Sequence, residues 1–314
     1  MDMIKEKQRL WAKRNEKNMR TDNKLFYTNT VEENLFKNLS PATEKEFNDA
    51  NGGELKDTKE HPAKMAALFS SSALCVNVFQ YFRDKSVELK LELLKACRLI
   101  SNDYDCDDII IKFECTDYPI CNDKNKISNP NIDVVIITKR GEKEDRIFAI
   151  ESKFTEPYGT VKNFLAEKYY QTENKSIWNS LGTLYESLNI DQADEITRTR
   201  KRDEKEVMEK GKHILTKYKY LNALQLIKHL MGVCGDEKWK NKSHITLVYV
   251  WYDALGKEGF EHRNEIKEFR KLIENNTRIK FRDISYQELI YDLNKLLPYN
   301  EHKEYLDYIT DRYL

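Results

Sequence analysis

Apolar and polar positions change period along this chain, and the changes divide it into elements. Between Asp108 and Phe154, three runs carry the two-residue period or the continuous apolar text of half-buried and buried strands: "DIIIKFEC" (Asp108 to Cys115), "NIDVVIITK" (Asn131 to Lys139) and "RIFAIESKF" (Arg146 to Phe154). A charged turn around Gly141 separates the last two and predicts a hairpin. "HITLVYVWYD" (His244 to Asp253) and the shorter "RIKFRDI" (Arg278 to Ile284) predict two further strands. Helical period governs the text on either side. It runs through "AKMAALFSSSALCVNVFQYF" from Ala63 and "SVELKLELLKACRLI", which opens on Ser86 as an N-cap. It returns in "YLNALQLIKHLMG", where Leu221, Leu224, Ile227, Leu230 and Met231 share one side, and in a charged helix from about Glu261 to Glu274. "SYQELIYDLNKLL" follows, with Ser285 and Glu288 in capping-box register.

The order of helices, three strands, helix, strand, helix, strand and helix predicts an α/β sandwich on a mixed sheet, an antiparallel meander feeding a helical crossover. Residues 1–60 are charged, carry the loop signal "NDANGGE", and read as a helical arm outside a domain spanning 61–314. Residues around 160–212 read as a helical insertion that ends in the polar "DQADEITRTRKRDEKEVMEKGK". With 314 residues and 40% hydrophobic content the chain can bury a sizeable core. Its 53 Lys+Arg balance 53 Asp+Glu, so any site for a polyanion must be built locally. No apolar run reaches the ~18 residues of a membrane span, and the N-terminus is too polar for a secretory signal. The expectation is a cytoplasmic protein with no membrane partner. The six cysteines form no C-x-x-C pair and match neither a zinc finger nor a redox motif.

The chemistry concentrates at the end of the third strand, "IFAIESKFTEPYG". Strand alternation puts Ala149, Glu151 and Lys153 on one face, so a carboxylate and an ammonium stand side by side. Acid-x-Lys recurs elsewhere in the chain, but only here does it close an apolar strand. If the hairpin turns near Gly141, the head of the second strand lies beside the tail of the third, and Asp133 approaches Glu151 and Lys153. Two carboxylates brought together require a positive group between them. A hard cation with oxygen ligands, Mg²⁺ with Mn²⁺ as a substitute, would meet that need and could engage a phosphate. The bland alternative is a solvated face with weak cross-strand ion pairs and Asp133 capping a turn.

The order of elements, with "NPNIDVVII" and "FAIESKFTEP", resembles the PD-(D/E)XK nuclease superfamily, the restriction-endonuclease-like fold with its αβββαβ core, and within it a bacterial restriction-endonuclease-like subfamily. The similarity extends through "SSSALCVNVF", Phe113-Glu114 and the Gln225 to His229 stretch, covering roughly Pro62 to Asp253. It implies that Asp133 and Glu151 bind metal with the Ser152 carbonyl, and that Lys153 handles the attacking water. It also implies that Gln225 assists, and that the protein is a homodimer acting on double-stranded DNA in restriction or phage defence. Ser152 departs from the more common apolar residue, and the Pro before Asp133 is displaced by one position. Glu114, at the end of the first strand, would complete the acidic cluster. Asn222, Gln225 and His229 form one polar stripe on their helix, with His229 ranked below Gln225. Arg198, Arg200, Lys201 and Arg202, in "RTRKR", make a local basic patch for nucleic acid, with a solvated helix as its plain alternative, and Asn222 joins them as a candidate contact. A repair, recombination or RNA-directed nuclease, and a catalytically inactive nucleic-acid-binding protein, remain open on the sequence.

Overall fold

The computed structural model describes residues 2–22, 25–50, 53–58, 61–122, 125–202, 205–239 and 244–314. Its centre is a five-stranded mixed sheet. Strands β1 (Asp108–Cys115), β2 (Ile132–Arg140) and β3 (Lys143–Lys153) form the antiparallel meander. The tight turn at Gly141 (φ +57°) joins β2 to β3 between the paired Arg140 and Lys143, a left-handed conformation that glycine adopts without steric cost. A small separate antiparallel sheet follows, built from β4 (Phe164–Ala166), β5 (Glu195–Arg202) and β6 (Lys205–His213) in the order β4-β6-β5. The chain then returns to the main sheet with β7 (Ile245–Trp251), parallel to β3, and β8 (Lys280–Ser285), parallel to β7. The spatial order in the main sheet is β8-β7-β3-β2-β1.

Helices cover both faces. One layer holds α1 (Asp2–Arg14), α2 (Pro41–Asp49), α3 (Ser71–Arg83), α4 (Val87–Ala96) and, from the far end of the chain, α7 (Tyr286–Leu296) and α8 (Tyr299–Tyr313). The other holds α5 (Ala223–Gly235) and α6 (Lys257–Asn276). Strand alternation sorts the core accordingly. Val134, Ile136, Phe148, Ile150, Val248 and Val250 pack with Phe79, Phe82 and Leu289, while Val135, Ile137, Ile147, Ala149 and Leu247 pack with Ile227, Leu230 and Phe269. The mixed α/β sheet expected from the periodicity is therefore present, as are the N-caps at Ser86 and Ser285, the latter in a complete capping box. Among the described residues, no helix is long and apolar enough to cross a membrane.

Two expectations are corrected. Residues 160–212 are not a helical insertion: 195–202 and 205–213 form the paired strands β5 and β6, and 172–181 form a run of 3-10 turns followed by the short helix Leu184–Ser187 and a 3-10 turn at Ile190–Gln192. The helix-favouring Lys and Glu content is overridden by the β-branched Ile196, Thr197, Thr199 and Val207 in a ladder that pairs Thr199 with Met208, Val207 with Arg200 and Arg198 with Glu209. Nor are residues 1–60 an arm. Tyr27, Val31, Leu35 and Phe47 belong to the main core, Phe47 stacks on Phe113 of β1 with ring centroids 6.3 Å apart, and the Glu46 carboxylate accepts the Phe113 N–H at 3.0 Å.

The N- and C-terminal segments are joined through one buried cation. Arg312 of α8, 1% exposed, donates to the Asn34 carbonyl (2.7 Å), to Asn34 Oδ1 (2.5 Å), to Gln8 Oε1 (3.1 Å) and to the Tyr308 hydroxyl (2.6 Å). Its guanidinium lies 4.3 Å from the centre of the Trp11 ring. Neutral oxygens and a ring face, not a carboxylate, compensate the charge, so their loss leaves several buried groups unsatisfied together. Arg312→Met is expected to destabilise the folded chain by about 3 kcal/mol, read as a lower urea midpoint with unchanged slope; an unchanged midpoint would place residues 1–60 outside the cooperative unit.

Candidate active site

β2 and β3 stay paired only as far as Val134 and Ile150, where the ladder opens. Past that point the Asp133 carboxylate takes the place of a strand carbonyl, and its Oδ2 accepts the Ser152 N–H at 2.7 Å. The N–H and C=O of a strand residue project to the same edge. The Ser152 carbonyl therefore also faces the gap, while the carbonyl of the next residue, Lys153, faces β7 and accepts the Tyr252 N–H at 2.8 Å. The Ser152 side chain points into the opposite layer, its Oγ 2.6 Å from the Tyr286 hydroxyl.

Glu151 is 1% exposed and is held from two sides. Its Oε1 pairs with the Lys153 ammonium, and its Oε2 lies 2.6 Å from His229 Nε2 on α5. Burial alone would raise the Glu151 pKa, but Lys153 and His229 outweigh it and hold the carboxyl at about 2. Lys153 is the converse case. Burial would lower its ammonium, and the Glu151, Asp133 and Glu156 charges push it up instead, so it is a fixed cation at neutral pH. Asp133 has no such compensation: burial and then the Glu151 charge drive its carboxyl well above the usual range, against the opposing pull of Lys153.

Glu114 joins this group through an unusual backbone. It sits in β1 at φ +44°, a left-handed conformation costly for a side chain-bearing residue, and it drops out of the ladder between the Phe113–Val134 and Cys115–Ile132 pairs. The kink lies opposite Asp133, and Asn131 donates to the Glu114 carboxylate. Burial, then the charge of Glu54, push Glu114 up to about 7. Glu54 comes from the N-terminal segment and is held by Ser72 at 3.2 Å and Lys64 at 3.6 Å.

The structure thus brings Asp133, Glu151, Ser152, Lys153 and Glu114 together. The hydrogen bonds of Gln225 lie at the start of its own helix: Asn222 caps α5 by accepting the Gln225 N–H at 3.2 Å, and its amide donates to Gln225 Oε1 at 3.1 Å, so the two residues close the first helical turn on each other. The side chain from that stripe that reaches the acidic group is His229, one turn further along. Its position four residues after Gln225 was the available signal, but a polar stripe does not announce which member faces inward. Glu54 gave no signal in a loop far away in sequence, whereas Asn131 lay within the quoted "NPNID". Arg198 and Arg200 lie on strand β5 rather than on a solvated helix, and the side chains of Lys201 and Arg202 fall outside the described residues. Near the N-terminus, four basic side chains are paired within the chain: Lys7 with the Leu314 carbonyl, Arg9 with Glu6, Arg14 with Asp311 and Arg20 with Asp57.

Among the described residues, no three His, Cys, Asp or Glu side chains are grouped so as to hold a metal ion by themselves. The donor set is that of an open site: one under-compensated carboxylate, a second carboxylate held in place, and a backbone carbonyl turned to the same gap. That suits a hard cation that retains several waters, as Mg²⁺ does.

A family model described as "Restriction Endonuclease associating with ARP" matches residues 5–314, and so includes the N-terminal segment and the last two helices. No curated protein and no solved structure matches the chain.

His229→Ala leaves Glu151 Oε2 buried without its partner. The expected result is a 10- to 100-fold loss of Mn²⁺ affinity by calorimetric titration, on the order seen when a group supporting a metal ligand is removed, with partial recovery in His229→Gln. Equal affinity in wild type and His229→Ala would remove His229 from the site.

Proposed function

Because the chain belongs to the family described as restriction endonuclease associating with ARP, we propose that it is a Mg²⁺-dependent endonuclease of double-stranded DNA, serving restriction or phage defence in the cytoplasm. In this reading α3, β1, β2, β3, α5 and β7 are the αβββαβ core of the restriction-endonuclease-like fold. The observation that carries it is the opened end of the β2–β3 ladder, where Asp133 turns to the Ser152 N–H and Glu151 is fixed between Lys153 and His229. A purely structural strand end has no need of an under-compensated aspartate beside a doubly held glutamate.

Mg²⁺, or Mn²⁺ in its place, would be held by Asp133, Glu151 and the Ser152 carbonyl, and when bound would neutralise phosphodiester charge and acidify a water. The chain's own residues then divide the work. Lys153, fixed as a cation, orients the attacking water by hydrogen bonding and stabilises negative charge developing on the phosphorus oxygens; it is not a general base. Glu114, aimed by its kinked backbone and by Asn131, closes the acidic side of the pocket. His229 keeps the Glu151 carboxylate in one orientation. Gln225 contributes through the α5 turn that carries His229, not by touching substrate. Two copies acting on the two strands of a duplex, and association with ARP as the family description states, belong to the same proposal.

Incubation of the purified chain with mixed unmethylated DNA and Mg²⁺, followed by sequencing of the ends, is expected to give cleavage that EDTA abolishes. Asp133→Ala and Lys153→Ala are each expected to lose about 10³-fold in rate, in line with removal of one transition-state stabilising group. Cleavage that survives EDTA or Asp133→Ala would contradict the assignment, and single-stranded, branched and RNA substrates run in parallel would show whether duplex DNA is the preferred target.

A further inference from the structure

The small sheet β4-β6-β5 carries a second concentration of charge that the acidic pocket does not use. On β5, Arg198 and Arg200 are two residues apart and so share a face. The Arg198 guanidinium lies 3.7 Å from the centre of the Phe164 ring on β4 and pairs with Glu209, its neighbour across the ladder, through Nε (2.9 Å) and Nη2 (2.6 Å). Gly211 on β6 makes room for this stack, since a Cβ there would fall 2.4 Å from both the Phe164 ring and the Leu165 carbonyl. From the other side, Lys168 and Lys228 place their ammonium groups 5.1 and 4.7 Å from the centre of one ring, Tyr169, and Lys168 also donates to the Ile127 carbonyl at 3.0 Å. Lys168, Lys228 and Arg198 thus lie against two buried rings, with Arg200 on the Arg198 face of β5, in a chain whose total charge is zero.

That arrangement is costly. Burial first, then Lys168, Arg198 and Arg200, lower the Lys228 ammonium to about 8, against the opposing pull of Glu209. Lys228 is also the residue next to His229 on α5, whose imidazole holds Glu151, so one helix carries a member of each charged group. The rings beneath the cations are themselves buried, Tyr169 at 3% and Phe164 at 4% exposure, and are not free to stack on bases. They hold the cations in place, with Lys168 and Arg200 exposed and Arg198 and Lys228 half-buried, a geometry suited to phosphate oxygens and not to base edges.

We propose that Lys168, Lys228, Arg198 and Arg200 form a phosphate-binding platform that grips the DNA backbone flanking the cleaved bond, without reading base sequence. The platform rests on the nuclease reading for its role but can be tested apart from it. A nucleic-acid strand brings phosphates past such a patch every few ångströms, and neutralising them releases counterions. The platform therefore sets affinity and its salt dependence, while specificity is left to other contacts.

The test is binding of short fluorescent duplexes of unrelated sequence to the full-length chain in EDTA, over a series of salt concentrations. Lys228→Gln and Arg200→Gln are each expected to weaken binding about fivefold, equally for all sequences, and to reduce the slope of log affinity against log salt by about 1. Lys303→Gln, an exposed position on α8, is expected to change neither. Because Lys228 is held against repulsion, the melting temperature of Lys228→Gln is expected to equal or exceed that of the wild type, which separates lost binding from lost folding. Unchanged affinity and slope in both variants would overturn the platform and, if the wild type still cleaves with Mg²⁺, leave the nuclease reading standing. A wild type that binds with the expected variant losses but never cleaves would keep the platform and remove that reading.

Discussion

A carboxylate buried within a protein must be compensated, and Glu151 is compensated twice, by a lysine two residues along its own strand and by a histidine from a helix packed on the same face. Much of the architecture serves that double contact. β3 needs β7 on one side to fix its direction, with Tyr249 beside Glu151 and Trp251 beside Lys153. α5 must lie over the Ala149 face with its register set so that His229 reaches Glu151, and the Asn222 cap fixes where that helix begins. On the far edge of β3 the ladder is released, which frees the Ser152 backbone for Asp133. The acidic pocket is thus a place where sheet pairing stops early and side chains take over its hydrogen bonds.

The same economy of charge runs through the rest of the chain. Arg312 is buried against carbonyls, an amide, a hydroxyl and an indole ring and joins the first helix to the last. Glu54 and Glu46, from the N-terminal segment, reach respectively the acidic group and the outer edge of β1. The family match from residue 5 to residue 314 agrees with that physical unity: the terminal segments complete the core and are not appended to it. The two charged regions are of opposite sign, one an acidic group around the under-compensated Asp133, the other a basic group around Tyr169 and Phe164. In the proposed reading, a phosphate backbone bound with a divalent cation would engage both.

The sheet was legible because strand burial writes itself into local text. "NIDVVIITK" and "RIFAIESKF" are short continuous apolar runs bounded by charge, Gly141 marks the turn, and from these alone the approach of Asp133 to Glu151 and Lys153 follows. Ser86 and Ser285 were legible for the same reason, since a cap acts within four residues. What was not legible depends on distant partners. Residues 1–60 look like an arm until Arg312 and Phe113 are placed beside them. The paired strands β5 and β6 look helical by composition, and only cross-strand pairs such as Arg198 with Glu209 make them a sheet. The inward turn of His229 and the left-handed backbone of Glu114 are set by packing and ladder geometry that no spacing rule encodes.

The central claim is that Asp133, Glu151 and the Ser152 carbonyl share one divalent cation at the opened end of the β2–β3 ladder. Anomalous scattering from a crystal of the chain soaked with Mn²⁺ tests it most directly. The account predicts a peak in that gap, in contact with both carboxylates and the Ser152 carbonyl, that disappears in Asp133→Asn. A peak only elsewhere in the molecule, or an empty gap at saturating Mn²⁺, would contradict it.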